Sequence, residues 1–191
     1  MFWGAIPYLS QLAVGIHHLC LTQDGTPYSP VVGVLSEHDL LVLQGNNPAI
    51  LIREMKRSTS AKELGQIRTK AKGLLRQYLE REVAMDFIAA VMTEINDALI
   101  VRVIEIAQQE LSTPLPDITW CWLGLGSEGR GEQLLRTDQD NALVFEDVPD
   151  ELLETIRPQF LAFAKRVTFH LSTCGFAYCP GVMMAGIPKG C

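Results

Sequence analysis

No apolar stretch in these 191 residues is long enough to span a bilayer; the longest, around Ala98 to Ile106, is broken by Arg102 and Glu105. Met1-Phe2-Trp3-Gly4 has no basic region of the kind that opens a secretory signal, so none is expected. Positive charge is also short. Sixteen Lys and Arg against 22 Asp and Glu give a formal net charge of −6. That argues against non-specific nucleic-acid binding, which needs a basic surface, and leaves a protein or a small nucleotide as the partner. Cysteine is sparse and odd in number: Cys20, Cys121, Cys174, Cys179 and Cys191. Their spacing makes neither a disulfide framework nor a metal-binding one, so reduced thiols in a cytoplasmic, membrane-free chain are expected.

What is present is apolar content of 48%, ample for a core, in a length that suits one or two domains. The most informative stretch is 120–147, WCWLGLGSEGRGEQLLRTDQDNALVFED. An apolar run ends at Gly126-Ser127; after a gap of ten residues come Asp138-Gln139-Asp140, then a second apolar run from Ala142 to Phe145. The pattern predicts strand, turn, short helix, strand. Glycines at 126, 129 and 131 let backbone approach a phosphate closely, and N–H groups opening a helix attract anions. Asp138 and Asp140, two apart in a strand, point to one side. Two such carboxylates repel unless a cation lies between them, and Mg²⁺ takes oxygen ligands and bridges carboxylates to substrate phosphates. One half of the stretch can hold a triphosphate and the other a metal, as phosphoryl or nucleotidyl transfer requires. A glycine-rich turn alone does not explain two carboxylates leading straight into an apolar strand.

Gly126-Ser127 followed by Asp138-x-Asp140 resembles the polymerase-β-like nucleotidyltransferase superfamily. With Glu128-Gly129-Arg130, Glu132-Gln133 and Thr137 included, the stretch is similar to the nucleotidyltransferase family found behind CBS domains in bacterial signalling proteins, a family related to the PII-protein uridylyltransferase. The resemblance implies nucleotidyl transfer from an NTP, UTP or ATP, with a protein as acceptor. By the same resemblance Mg²⁺ sits on Asp138 and Asp140, and Gly126 and Ser127 hold phosphates. Arg130 is a phosphate contact or the ion-pair partner of Glu128 or Glu132. The alternative is a catalytically inactive module that senses a nucleotide.

Earlier in the chain, His17 to Leu21, the turn signal Gln23-Asp24-Gly25 and the buried-strand pattern Pro30 to Leu35 predict a hairpin. Ser36 then caps a helix with Asp39 at its third position. Val32-Gly33-Val34-Leu35-Ser36-x-x-Asp39 resembles the end of a CBS domain, which implies Ser36 and Asp39 as ligands of an adenosine nucleotide; capping accounts for both residues equally well. CBS units often pair, so the resemblance also implies a homodimer.

A capping box at Ser60-Ala61-Lys62-Glu63 opens a helix reaching about Arg81, weakened by Gly65 and Gly73. Ile88, Val91, Met92, Ile95, Leu99, Val103 and Ile106, spaced by threes and fours, predict a second from Met85 to Leu111. Asn96, Asp97 and Arg102 match positions of the family's helical region and are expected on the helix surface. A third helix opens near Pro149 with Leu152, Ile156, Phe160, Phe163, Ala164, Val167 and Leu171 on its apolar face, His170 near its end, and Gly175 as its stop. Tyr178-Cys179-Pro180-Gly181 and Met184-Ala185 resemble the segment that follows this helix in the family. The superfamily's third carboxylate comes from a later strand, and residues 176–191 contain no Asp or Glu. The resemblance therefore implies a chain truncated at both ends. The expected fold is α+β: a partial CBS-like βα piece over 1–56, a helical connector over 57–117, and a partial nucleotidyltransferase core with a mixed sheet and flanking helices over 118–191.

Overall fold

Residues 18–36, 47–134 and 138–187 are described by the computed structural model. Asp39 and the helix expected around it, Arg136, Thr137, the first seventeen residues and residues 188–191 lie outside these segments. The chain divides into two compact units between Asn47 and Pro48.

In the first unit, β1 (His18–Thr22) and β2 (Val31–Ser36) form the expected antiparallel hairpin, with His18 opposite Ser36 and Cys20 opposite Val34. Asp24 shapes the turn: its Oδ1 accepts the backbone N–H and the hydroxyl of Thr26. The buried-strand expectation is not met. Val31, Val32 and Val34 are all more than half exposed. Two strands cannot cover both of their own faces, and among the described residues of this unit no further strand lies beside them.

The second unit is α+β. Helices α1 (Pro48–Arg57), α2 (Ala61–Glu80) and α3 (Met85–Gln109) precede β3 (Trp120–Gly124), the single turn α4 (Gly126–Gly129), β4 (Asp138–Gln139), β5 (Asn141–Phe145), α5 (Asp150–Thr173) and β6 (Ala177–Tyr178). Helix α2 starts where its box predicts. The Ser60 hydroxyl accepts the Glu63 N–H at 3.4 Å, and the Glu63 carboxylate reaches back to the Thr59 N–H at 2.8 Å. Helix α3 is the central rod. Ile88, Met92, Ile95, Leu99 and Val103 have no accessible surface, so the periodic stripe is the core. Helix α5 buries Ile156, Phe160, Phe163, Ala164, Val167 and Leu171; Leu152, in its first turn, is about half exposed and drops out of that face.

Strands β3 and β5 pair antiparallel from Trp120–Phe145 to Gly124–Asn141. Their far end is pinned by aromatics from α5. Trp120 meets Phe163 edge-on at 5.3 Å, and Phe145 stacks on Phe160 at 5.1 Å. Strands β4 and β6 form a second, parallel pair, Asp138 beside Ala177 and Gln139 beside Tyr178. His170 is a helix-end residue: its Nε2 lies 2.8 Å from Glu110, which also accepts from Arg166 and so ties α3 to α5. Burial pushes the Glu110 carboxyl up, but hydrogen bonds from His170 and Arg166 outweigh it and hold the group below its usual range.

The two glycines of α2 differ in their surroundings. A Cβ on Gly73 meets nothing within 4 Å, whereas one on Gly65 comes within 3.2 Å of the Thr173 carbonyl oxygen, where α2 crosses the end of α5. Gly73→Ala is expected to stabilise by about 0.5–1 kcal/mol, the helix-propensity difference. Gly65→Ala meets that backbone oxygen and loses the gain. Urea unfolding of the two variants checks the contrast.

Candidate active site

The site forms where β3 ends and β5 begins. Leu125 donates its N–H to the Asp140 carbonyl at 2.8 Å, holding the turn after β3 against the residue that precedes β5. Gly126 follows with φ +59°, and a Cβ there would stand 3.0 Å from Asp140 Oδ2. Glycine is required twice over, by its backbone angle and by the carboxylate pressed against it. Gly129 is equally constrained, since a Cβ would lie 2.7 Å from the Gly124 carbonyl oxygen. The turn is closed by the Glu132 N–H, which donates to the Ser127 carbonyl at 2.9 Å.

Alternation along β4 and on to the residue after it sorts Asp138, Gln139 and Asp140. Gln139 turns into the core at 1% exposure, and its amide nitrogen donates to the carbonyls of Thr168 and Phe176. Asp138 and Asp140 therefore share the opposite side, as the i, i+2 spacing requires. Carboxylate oxygens of both, together with the Cys179 thiol, lie within 4.8 Å of one another. Among the described residues no basic side chain pairs with either aspartate. Two carboxylates at this separation repel, and a divalent cation is a charge that fits between them. The donor set accommodates such an ion.

Of the other expected site residues, Gly126 and Ser127 lie in the turn beside Asp140. Arg130 is exposed and pairs with Glu132 at 2.8 Å, the ion-pair alternative open to it from the start. Ser36 ends β2 in the first unit, and Asp39 lies outside the described residues.

Four features were missed. Asn96, expected on the surface of α3, is 1% exposed, and its amide donates to Gln133 and to the Leu134 carbonyl. Thr93, one turn earlier, donates to the Gly131 carbonyl at 2.9 Å. Helix α3 thus holds the segment after α4 in place. Neither contact has a local sequence signal, since the partners are 37 or 38 residues away. Arg102 is likewise only partly exposed and donates to the Ser58 carbonyl. The fourth is Glu128, whose carboxyl folds back over Gly124. It is pushed up to about 7, first by burial and then by the negative charge of Asp97; Gln133 opposes this with a hydrogen bond, and Asp140 adds a smaller push.

Glu128 makes stability depend on pH with a definite sign. Between the ordinary value of 4.5 and about 7, only the folded chain keeps the proton. Its contribution is therefore full below pH 4.5 and lost as pH rises through 7. In metal-free protein Glu128→Gln should be more stable than the parent above pH 7, by no more than about 3 kcal/mol before solvent screening reduces it. Thermal unfolding in chelator from pH 4 to 8.5 reads this as a flatter curve for the variant.

Residues 69–191, more than half of the chain, match the family described as "Putative nucleotidyltransferase DUF294". The chain belongs to this family. The DUF294 segment opens inside α2 and takes in all of α3, so the helix that carries Thr93 and Asn96 is within the same domain as the turn it holds. No curated protein and no solved structure matches the chain. Nucleotidyltransferase domains act on nucleoside triphosphates and usually use a divalent metal, which suits the two neighbouring aspartates. No helix among the described residues is long and apolar enough to cross a membrane.

Proposed function

We propose that this chain carries the triphosphate- and metal-holding part of a nucleotidyltransferase that transfers a nucleotidyl group, UMP from UTP being the first candidate, to a protein acceptor within a signalling protein. The supporting observation is the pair Asp138 and Asp140, whose carboxylates lie close together beside Gly126 with no basic partner among the described residues. In this reading Asp138 and Asp140 hold the metal, with Mg²⁺ the first candidate. When bound, it neutralises charge on the triphosphate. Gly126 and Ser127 hold the β- and γ-phosphates by backbone N–H and hydroxyl. An acceptor hydroxyl attacks the α-phosphorus, the bond to the bridging oxygen breaks, pyrophosphate leaves, and the acceptor's proton passes to solvent.

The first unit is proposed as a CBS-derived piece whose Ser36 and Asp39 meet an adenosine nucleotide and whose pairing makes a homodimer. The direct experiment incubates the protein with Mg²⁺, each NTP and a cell extract as acceptor source, and measures pyrophosphate release and labelled acceptor. UTP-dependent release that disappears in Asp138→Asn is the expected result. Nucleotide binding without release under every condition overturns catalysis and leaves a nucleotide-sensing module.

A further inference from the structure

The parallel pair β4–β6 sets Asp138 beside Ala177 and Gln139 beside Tyr178. Continued by one residue, that register brings Cys179 next to Asp140, on the side that Asp138 and Asp140 share. The thiol and the two carboxylates come within 4.8 Å of one another. Donors around one small ion, with metal–sulfur near 2.3 Å and metal–oxygen near 2.1 Å, stand about 3 to 4.5 Å apart. Small side-chain rotations close the difference.

Cys179 is distinct from the other described cysteines. Cys174 is buried, hydrogen-bonded to the Ala61 carbonyl and pushed up to about 12 by burial, which makes it an inert part of the core. Cys20 and Cys121 are exposed strand residues and belong to no such cluster of ligand groups. Cys179 is fixed from behind. Its carbonyl accepts the Val182 N–H at 3.0 Å, and the strand leading to it is held by the Gln139 amide on the Phe176 carbonyl. Asn141 fixes the following segment, accepting the Ala185 N–H at 2.9 Å and donating its own N–H to Met183. A thiol so placed beside two carboxylates is a preorganised third donor.

We propose that Cys179 is the third protein ligand of the cation held by Asp138 and Asp140, so that the site also takes thiophilic ions of the zinc and cobalt class, held through the thiol. The proposal rests on the nucleotidyltransferase reading of the aspartate pair and specifies the metal that this pair accepts. Magnesium takes oxygen ligands and gains nothing from sulfur. Thiolate favours the softer ions. Searching for Cys and His at metal-binding spacings misses such a site, because the partners of Cys179 are carboxylates some forty residues upstream.

Any site with these donors binds Zn²⁺ and Co²⁺ more tightly than Mg²⁺, so the test is how far the preference depends on Cys179. Co²⁺ and Mg²⁺ are titrated separately into the full chain, its Cys179→Ser variant and its Asp138→Asn, Asp140→Asn variant, by calorimetry and absorption. Co²⁺ should give a thiolate-to-metal charge-transfer band with the parent. In Cys179→Ser the band should vanish and Co²⁺ affinity fall roughly 10–100-fold, at least what loss of an outer-shell partner costs, while Mg²⁺ affinity stays unchanged. Equal Co²⁺ affinity without a band in the parent defeats the thiol ligand and leaves the carboxylate site intact. A parallel loss of Mg²⁺ affinity shows that Cys179 only shapes the site, and also defeats it. Binding that survives loss of both aspartates overturns the underlying reading, and binding of neither ion overturns both.

Should Cys179→Ser fail to fold, the parent still decides. Co²⁺ should slow alkylation of Cys179 by iodoacetamide while Cys20 and Cys121 react as before. Equal protection of all three, or of none, defeats the proposal.

Discussion

Replacing Asp138 and Asp140 together with asparagine should abolish metal-dependent binding of UTP, a loss of at least about 100-fold or 2.7 kcal/mol, with the far-ultraviolet spectrum unchanged. Asparagine keeps the shape of each side chain, and the structural contact of Asp140, its carbonyl accepting the Leu125 N–H, comes from the backbone. What goes is charge. The same change should make the metal-free protein slightly more stable. Two negative charges close to the 4.8 Å spacing cost about 1 kcal/mol even when screened as in water. Weaker ligand binding joined to a higher melting temperature in chelator marks carboxylates placed for a ligand at the expense of the fold. Calorimetric titration of UTP with Mg²⁺, together with thermal unfolding in chelator, measures both halves. Unchanged metal-dependent UTP affinity in the double variant would remove the site assignment.

Arg68→Met should produce the largest loss of stability of any single change considered, about 3 kcal/mol by denaturant unfolding. Arg68 is 1% exposed on α2. Its Nη1 donates to the carbonyls of Gly175, at 2.7 Å, and Cys174, at 3.4 Å, and its guanidinium lies 3.8 Å from the centre of the Phe176 ring. Methionine preserves part of the volume but leaves those carbonyls without a charged donor. The damage should spread. The 174–176 turn leads directly into β6, which flanks Asp138, so folded Arg68→Met protein is also expected to bind metal more weakly. Stability and metal affinity both equal to the parent's would show that the guanidinium is dispensable.

Local signals in the sequence carried the elements whose causes are local. The Ser60–Glu63 box sets the start of α2, the three-four spacing from Ile88 to Ile106 sets the buried face of α3, and the i, i+2 aspartates share a side because strand geometry leaves no alternative. The remainder depends on contacts the chain makes with distant parts of itself. Arg68 finds its partners more than a hundred residues on, Asn96 reaches Gln133, and Cys179 comes to the aspartates only through the pairing of two two-residue strands. Glu128 looked like an ordinary surface acid of a short helix. Its proton affinity is set by burial and by Asp97, which comes from a different helix. Exposed Val31, Val32 and Val34 illustrate the converse, since an apolar run says that a strand wants a cover without supplying one.

Only Asp140 separates β4, which runs parallel to β6, from β5, which runs antiparallel to β3. The chain changes ladders at a single residue, and one carboxylate stands on β4 while the other stands at the point of change. A cation gripped by both would act as a rivet through the seam between the two ribbons. Metal affinity and the rigidity of the seam would then be one quantity read in two ways. Any load that slides one ribbon past the other would be felt at the ion as a widening of its cradle.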